Sequence, residues 1–193
     1  MSSTSFNNKV IALTGGAQGI GLATATLLAS RGASLSLADV QTETLEGGKQ
    51  SILAVHPSAK ILISTVDVRD AGQVEGWIRD TVSHFGQLDG AANIAGVVPK
   101  SIGSEAGLME NVDAGEWDLA MAVNVTGVMH CMKYQLREMG EGASLVNVSS
   151  IAGLMGRAKN GIYTATKHAV IGLTRSAAKE VGARGVRVNA ICP

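Results

Sequence analysis

The sequence has few cysteines, few histidines and no excess of charge of either sign. Its only cysteines are Cys131 and Cys192, so neither a disulfide-stapled scaffold nor a thiolate metal site is expected. The four histidines do not follow a ligand spacing, and we predict no metal site. Sixteen basic residues balance sixteen acidic ones, which leaves no electrostatic footprint for nucleic acid or for an anionic membrane.

Long apolar runs and aromatic residues are scarce as well. No apolar stretch approaches the roughly 20 residues that a helix needs to cross a bilayer, and residues 1–8 lack the charged-then-apolar layout of a signal peptide. These features predict a cytoplasmic protein without a membrane partner. With 46% hydrophobic but only 3% aromatic residues, and with 24 glycines, the composition is typical of one α/β domain over residues 1–193 with an aliphatic core.

Short apolar runs alternate with helical patterns along the whole chain. Strands are predicted at 10–13, 34–38, 61–66, 89–93, 144–148 and 186–191, and helices at 20–30, 42–55, 71–85, 114–138 and 163–181. This alternation predicts right-handed crossovers and a doubly wound parallel sheet between two helix layers. A dinucleotide-binding pattern would give the strand order 3-2-1-4-5-6. Residues 97–112 form the one long irregular loop.

A glycine-rich turn follows the first predicted strand and leads directly into an apolar helix. Gly15 would make the tight turn, and the missing side chain of Gly19 would let a pyrophosphate approach the helix N-terminus. Gly21 would let helix and strand pack closely. Such a triplet can also be only a turn, but here the strand before it and the helix after it satisfy the context of a nucleotide site.

Acidic residues end the second and third predicted strands. Asp39 would accept hydrogen bonds from an adenosine ribose and repel a 2′-phosphate, and Gln18 offers no positive charge to offset that repulsion. This favours NAD over NADP, although Asp39 could also serve as a carboxylate at a helix N-terminus. Asp67 and Val68 could frame the adenine, or Asp67 could be an ordinary turn residue.

Tyr163 and Lys167 are four residues apart on a predicted helix, so their side chains share one face. A free tyrosine titrates near pH ~10 and is a poor base at neutral pH. A nearby cation favours the phenolate, which makes the pair a candidate acid/base device. The alternative is an ordinary exposed helix pair.

Together these motifs resemble the classical short-chain dehydrogenase/reductase family. The matching pieces are the turn at 14–21, Asp39, the run Asn-Ile-Ala-Gly at 93–96, Asn124, Ser149 with Ser150, and Tyr163-x-x-x-Lys167. They occur in the expected order over residues 9–193, and the spacing between Ser150 and Tyr163 also agrees. The resemblance implies a Rossmann-like fold and hydride transfer between NAD(H) and a secondary alcohol or ketone.

The resemblance also implies a role for each of five residues. Tyr163 would be the acid/base, and Lys167 would bind the nicotinamide ribose and, with the positive nicotinamide ring, lower the pKa of Tyr163. Ser150 would hold and polarise the substrate oxygen. Asn124 would hold a water that links Lys167 to solvent, and Asn93 would brace the fourth strand near the adenine-ribose side of the cofactor.

The full set of cofactor-binding residues implied in this way has thirteen members. They are Gly15, Gln18, Gly19, Ile20, Gly21, Asp39, Asp67, Val68, Asn93, Ala95, Gly96, Tyr163 and Lys167. The partners implied are a small-molecule substrate and a second copy of the chain, as a homodimer or homotetramer joined by the helices around Asn124 and after Tyr163. Two alternatives stay open: a non-catalytic dinucleotide-binding or regulatory protein, and a dehydratase or epimerase on the same scaffold.

The sequence departs from the family pattern at two places. Ile94 stands where the family has a second asparagine, which leaves Asn93 in place. The chain stops at Pro193, where the family continues with glycine. We therefore expect a C-terminally incomplete fold in which the last strand and the substrate lid are absent.

Overall fold

Six parallel strands form one sheet at the centre of the structure, a computed structural model that describes residues 5–193. The strands are β1 Val10–Thr14, β2 Ser34–Asp39, β3 Ile61–Thr65, β4 Gly90–Asn93, β5 Ser144–Val148 and β6 Arg187–Ile191. Each agrees with its predicted strand to within one residue at either end. The first four residues of the predicted domain 1–193 lie outside the described residues.

The strand order is β3-β2-β1-β4-β5-β6, which confirms the predicted doubly wound topology. In the register, Ile11 of β1 lies opposite Leu35 of β2 on one side and Gly90 of β4 on the other. The chain leaves β1 toward one edge of the sheet and returns at β4 toward the other edge. The carboxyl ends of β1 and β4 therefore border the crevice where such sheets bind ligands.

Helices cover the sheet on both faces and complete three layers. They are α1 Gly19–Ser30, α2 Thr42–Val55, α3 Ala71–Phe85, α4 Ala114–Met121, α5 Val128–Glu138 and α6 Gly161–Val181. One core cluster joins α1 and α2 to the sheet through residues such as Leu13, Leu35 and Ile52. A larger cluster joins α3, α5 and α6 to the other face through Trp77 and Val170. None of the described helices is both long and apolar enough to cross a membrane.

Local chemistry accounts for where helices begin and end. Asp70 precedes α3 and accepts hydrogen bonds from the backbone N–H groups of Gly72 and Gln73, at 2.8 and 3.1 Å. Gly86 ends the same helix with a φ of 84°, a conformation in which most other residues are strained. The predicted helix at 71–85 is confirmed, and these two residues account for its ends.

The predicted helix at 114–138 is confirmed at both ends, but its middle is not a regular α-helix. The structure divides it into α4, a π-helical turn over Ala122–Gly127, and α5. A periodic apolar pattern does not distinguish one wide turn from a regular one, and such turns often mark functional sites. The loop predicted at 97–112 contains two short 3₁₀ turns, Glu105–Gly107 and Met109–Asn111.

Candidate active site

The glycine turn between β1 and α1 has no room for side chains at two of its positions. A Cβ built on Gly15 would lie 2.9 Å from the backbone nitrogen of Ala95, and one on Gly21 would lie 1.9 Å from the carbonyl oxygen of Gly15. Gly15 also has a φ of 71°. At Gly19, by contrast, no atom of the described residues lies within 4 Å of such a Cβ. The N-terminus of α1 is therefore open to an approaching group, as predicted from the sequence.

Thr14 joins the glycine turn to the end of β4. Its hydroxyl oxygen accepts hydrogen bonds from the backbone N–H groups of Ile94 and Ala95, both at 3.2 Å. The Thr14 side chain is buried. Because β1 and β4 are far apart in the sequence but adjacent in the sheet, this contact fixes the two walls of the crevice relative to each other.

A cavity of about 590 Å³ occupies this crevice at the carboxyl ends of the strands. Nine of the thirteen predicted cofactor residues line it: Gly15, Gln18, Ile20, Gly21, Asp39, Asp67, Val68, Ala95 and Gly96. Gly19, Asn93, Tyr163 and Lys167 are not among its lining residues. The sequence analysis missed Arg69, Leu119 and Val123, which also line it. Only their proximity in space reveals them, because they follow no recognisable motif.

Asp39 lies at the rim of this cavity, as the last residue of β2. Its carboxylate accepts hydrogen bonds from the backbone N–H groups of Ala17 in the glycine turn and of Gln41, both at 3.1 Å. It is 9% exposed. The carboxylate is thus held in place by backbone donors and retains acceptor capacity toward the cavity.

The turn after β3 forms another wall of the cavity. The guanidinium of Arg69 forms an ion pair with Asp67, and this hydrogen bonding holds the pKa of the Asp67 carboxyl below its usual range. The backbone carbonyl of Val68 lies 3.0 Å from Nδ1 of His130 on α5. Since a carbonyl oxygen only accepts, Nδ1 must carry the proton in this contact.

The side chain of Asn93 lies in the core and does not line the cavity, so its predicted contact with a cofactor stays a prediction. Its amide nitrogen donates to Gln135 and Asn147, at 3.0 and 2.9 Å, and its amide oxygen accepts from Gln135 at 2.9 Å. All three side chains are buried. Asn93 does brace the fourth strand, as predicted, by joining β4 to β5 and α5.

Tyr163 and Lys167 share one face of the first turns of α6, as predicted. The Lys167 nitrogen lies 5.4 Å from the centre of the Tyr163 ring and donates to the backbone carbonyl of Val148 at 2.9 Å. Burial lowers the pKa of Lys167 to about 8, against a smaller opposing effect of the charge of Cys192. The amine therefore begins to lose its proton just above neutral pH.

The pKa of Tyr163 is shifted in the direction opposite to the sequence prediction. Burial raises it above the ordinary value, and a hydrogen bond with the Ser150 side chain lowers it only in part. The prediction was that Lys167 and the positive nicotinamide ring together lower the pKa of Tyr163. The half-buried position of the phenol opposes that effect, because burial disfavours the charged form.

Ser150 follows β5 and opens a 3₁₀ turn over Ile151–Gly153. Its hydroxyl oxygen accepts from the backbone N–H of Ala152 at 3.2 Å and donates to the carbonyl of Pro193 at 3.4 Å. The Ser150 side chain also lies close enough to the Tyr163 phenol to lower its pKa in part.

Gly96 connects the cavity to the Tyr163–Lys167 pair through Asn124. A Cβ built on Gly96 would lie 3.1 Å from the Asn124 amide oxygen and 3.8 Å from the Lys167 nitrogen. Asn124 is fully buried in the π-helical turn and exchanges hydrogen bonds with the backbone of Val97, at 2.8 and 2.9 Å. Val97, which lines the crevice, is thus hydrogen-bonded to Asn124, and Gly96 faces Lys167 across a gap of about one methyl group, while the predicted Asn124-bound water stays a prediction.

The residues present fit a dinucleotide. The glycine turn leaves the amide end of α1 open, and both Asp39 and Gly96 line the crevice of about 590 Å³. Within residues 5–193, no group of three histidine, cysteine or acidic side chains is placed to hold a metal ion.

Comparison with known proteins agrees with this geometry. The family described as enoyl-(acyl carrier protein) reductase matches residues 15–193. The short-chain dehydrogenase/reductase aba4 of Botryotinia fuckeliana (strain B05.10) is 55% identical over 193 residues, which cover all of this chain and 74% of that protein.

Solved structures of related enzymes have the same fold. The crystal structure of levodione reductase superimposes with a TM-score of 0.90 at 38% identity, over 97% of this chain and 72% of that one. NAD+-bound xylitol dehydrogenase gives 0.91 at 30% identity, over 98% and 71%. The chain therefore belongs to the short-chain dehydrogenase/reductase family of oxidoreductases.

Proposed function

We propose that the chain transfers a hydride between NAD(H) and the carbinol or carbonyl carbon of a secondary alcohol or ketone. The observation that carries this proposal is the place of Gly96, which lines the dinucleotide-sized crevice and faces Asn124 and Lys167. A Cβ built on it would lie 3.1 Å from the Asn124 amide oxygen and 3.8 Å from the Lys167 nitrogen, so the crevice lies beside these two residues. A pyrophosphate would lie on the open N-terminus of α1, and the nicotinamide end would reach past Gly96.

Proton transfer is assigned to Tyr163. In the oxidation direction its phenolate oxygen takes the hydroxyl proton of the alcohol, and in the reduction direction its phenol donates that proton to the carbonyl oxygen. The nicotinamide supplies the other half of the chemistry by accepting or delivering the hydride. Burial raises the pKa of Tyr163, so the phenol that donates this proton is the form present at neutral pH before the cofactor binds.

The other three residues hold the reacting groups. Lys167, fixed by the Val148 carbonyl, would bind the nicotinamide ribose with its remaining N–H donors. Ser150 would orient the substrate oxygen toward Tyr163. Asn124 would hold the water that links Lys167 to solvent, as in the family.

We assign NAD rather than NADP as the cofactor. The fixed carboxylate of Asp39 suits the two hydroxyls of an unmodified ribose and repels a 2′-phosphate. Similar structures solved with NAD, those of xylitol dehydrogenase and carveol dehydrogenase, support this choice. Arg69, the cation that lines the crevice nearby, is already paired with Asp67 and is therefore a poor substitute for a phosphate-binding residue.

The names of two relatives guide our proposal for the substrate class. One relative is named levodione reductase and another 2,5-dichloro-2,5-cyclohexadiene-1,4-diol dehydrogenase, at 40% and 38% identity. We therefore place cyclic secondary alcohols and ketones first. We further propose a cytoplasmic homodimer or homotetramer, which sedimentation of the purified chain would test.

The test is a turnover assay with NAD(H) or NADP(H) and a panel of cyclic and open-chain alcohols and ketones, with enoyl thioesters as a counter-screen. We expect NADH-linked turnover of at least one alcohol–ketone pair. Binding of NADH without turnover of any substrate would instead favour the regulatory alternative. Loss of water or inversion of a centre without net redox change, seen by product analysis, would favour the dehydratase or epimerase alternative.

A further inference from the structure

Glu116 lies in the first turn of α4, yet its carboxylate bonds to a distant part of the chain. It accepts hydrogen bonds from the backbone N–H groups of Lys100 and Ser101, at 2.8 and 3.2 Å, and from the hydroxyl of Ser101. Its own backbone N–H is already satisfied by Asp113, which caps the helix at 2.8 Å. Three donors on one half-buried carboxylate make a strong, charge-assisted anchor for the segment before it.

The segment 99–107, which we call the 99–107 loop, has a second anchor on its other side. The backbone N–H of Gly103 donates to the carbonyl of Lys159 at 3.0 Å, and the ammonium of Lys159 pairs with Glu105. A Cβ on Gly107 would lie 2.6 Å from the carbonyl oxygens of both Lys159 and Ser101. The loop is thus packed too tightly there to admit even a methyl group.

These anchors place the loop beside the acid/base residue. Pro99, Ser101 and Ile102 line a hollow of about 10 Å³ together with Ile162 and Tyr163. A hollow of that size holds at most about one water molecule, so the loop and the first turn of α6 are nearly in contact. Ile102 is 39% exposed, which leaves an apolar side chain at this edge of the site.

We propose that Glu116 is a positioning residue that fixes the 99–107 loop as a preformed wall of the substrate pocket beside Tyr163. This inference rests on the proposed function. Glu116 touches neither the crevice nor the acid/base pair, so it acts through the loop. Loss of the Glu116 carboxylate raises the KM for the alcohol and reduces the selectivity between alcohols. The same change leaves the affinity for NADH unchanged.

The test compares Glu116→Ala with Glu116→Gln and with the control Glu110→Ala, which changes an exposed glutamate on the same side of the molecule. In Glu116→Ala the KM for the best alcohol should rise about tenfold, equivalent to about 1.4 kcal/mol, and hydrogen exchange at the Lys100 and Ser101 amides should accelerate. Glu116→Gln should restore most of the KM, because its amide keeps an acceptor for the backbone donors. Ser101→Ala, a milder change, should give a smaller rise.

Two results would overturn the inference in distinguishable ways. Equal alcohol KM values in wild type, Glu116→Ala and Ser101→Ala, with normal turnover, would reject the positioning role alone. A loss of NADH affinity in Glu116→Ala as large as the rise in the alcohol KM would also reject the positioning role. The substitution would then disturb the cofactor site as well as the substrate pocket. A wild type that turns over no substrate would reject the proposed function and this inference with it.

Discussion

The ammonium of Lys167 lies 5.4 Å from the centre of the Tyr163 ring while it donates a hydrogen bond to the carbonyl of Val148, the last residue of β5. The bond to Val148 means that the sheet, as well as the helix α6, sets the position of the amine. A lysine on a helix surface alone would have many rotamers. Here one backbone carbonyl selects the rotamer that keeps the charge beside the phenol.

Removal of the Tyr163 hydroxyl should abolish turnover without loss of the fold. In Tyr163→Phe we expect kcat to fall by roughly 10²–10⁴, because a positioned general acid/base contributes that much. NADH affinity should change little, and stopped-flow assays with fluorescence titration measure both quantities. The control is Tyr134→Phe, a change at the buried tyrosine of α5, which should keep full activity. Equal losses in the two variants would contradict the assignment.

Because the pKa of Lys167 is lowered in the folded state, we expect the free energy of unfolding to depend on pH. Below pH about 8 the amine is charged in both states, and the folded state bears the cost of burying that charge. Between about 8 and 10.5 the folded amine loses its proton while the unfolded one keeps it, so the free energy of unfolding rises with pH.

Urea unfolding of wild type and Lys167→Met isolates this effect, since other groups titrate alike in both. The stability of wild type relative to the variant should increase by about 1–3 kcal/mol from pH about 7 to about 10. A difference that stays flat over this range, or falls, would show that the buried amine titrates near its ordinary pKa.

The glycine turn should tolerate no methyl group at Gly21. A Cβ there would lie 1.9 Å from the Gly15 carbonyl oxygen, so Gly21→Ala must open the turn that faces the crevice. We expect NADH affinity to fall more than about tenfold and stability to fall by several kcal/mol. Gly47→Ala is the matched control, because no described atom lies within 4 Å of its Cβ. That variant should gain about 0.5–1 kcal/mol of helix stability and bind NADH normally.

Asp39 should determine the choice between the two nicotinamide cofactors. In Asp39→Asn the negative charge is lost, so affinity for NADPH should rise relative to NADH by about tenfold or more. Absolute NADH affinity should fall, because an amide replaces one of the two oxygens that accept from Ala17 and Gln41. Calorimetry with both cofactors gives the ratio, and Asp80→Asn on the surface of α3 is the control. An unchanged ratio would place the adenosine ribose elsewhere.

Much of this site was predictable because its parts are local in sequence. The turn at 14–21 and the spacing of Tyr163 and Lys167 are each set within one loop or one helix, and the strands are continuous apolar runs. The crossover rules then bring the ends of β1 and β4 together. The prediction was sound wherever one element with its flanking residues determines the geometry.

The parts that sequence reasoning missed depend on long-range contacts. The π-helical turn around Asn124 is stabilised by hydrogen bonds to the backbone of Val97, 27 positions earlier. The helical periodicity of the sequence does not reveal these bonds. The raised pKa of Tyr163 likewise reflects burial of the phenol, which the spacing of Tyr163 and Lys167 does not reveal. The side-chain partners of Asn93 on α5 and β5 were not predicted for the same reason, because they lie 42 and 54 positions away along the chain.

Asn93 should therefore matter for stability rather than for cofactor affinity. Asn93→Ala leaves the buried amides of Gln135 and Asn147 without their partner, at a cost of about 1–3 kcal/mol for each unsatisfied group. Urea unfolding should show a loss of about 2–6 kcal/mol, and the folded variant should bind NADH within about twofold of wild type. Asn189→Ala, at an exposed position of β6, is the control and should be close to neutral. A variant with normal stability but weakened NADH binding would return Asn93 to the cofactor site, because only a direct contact produces that combination.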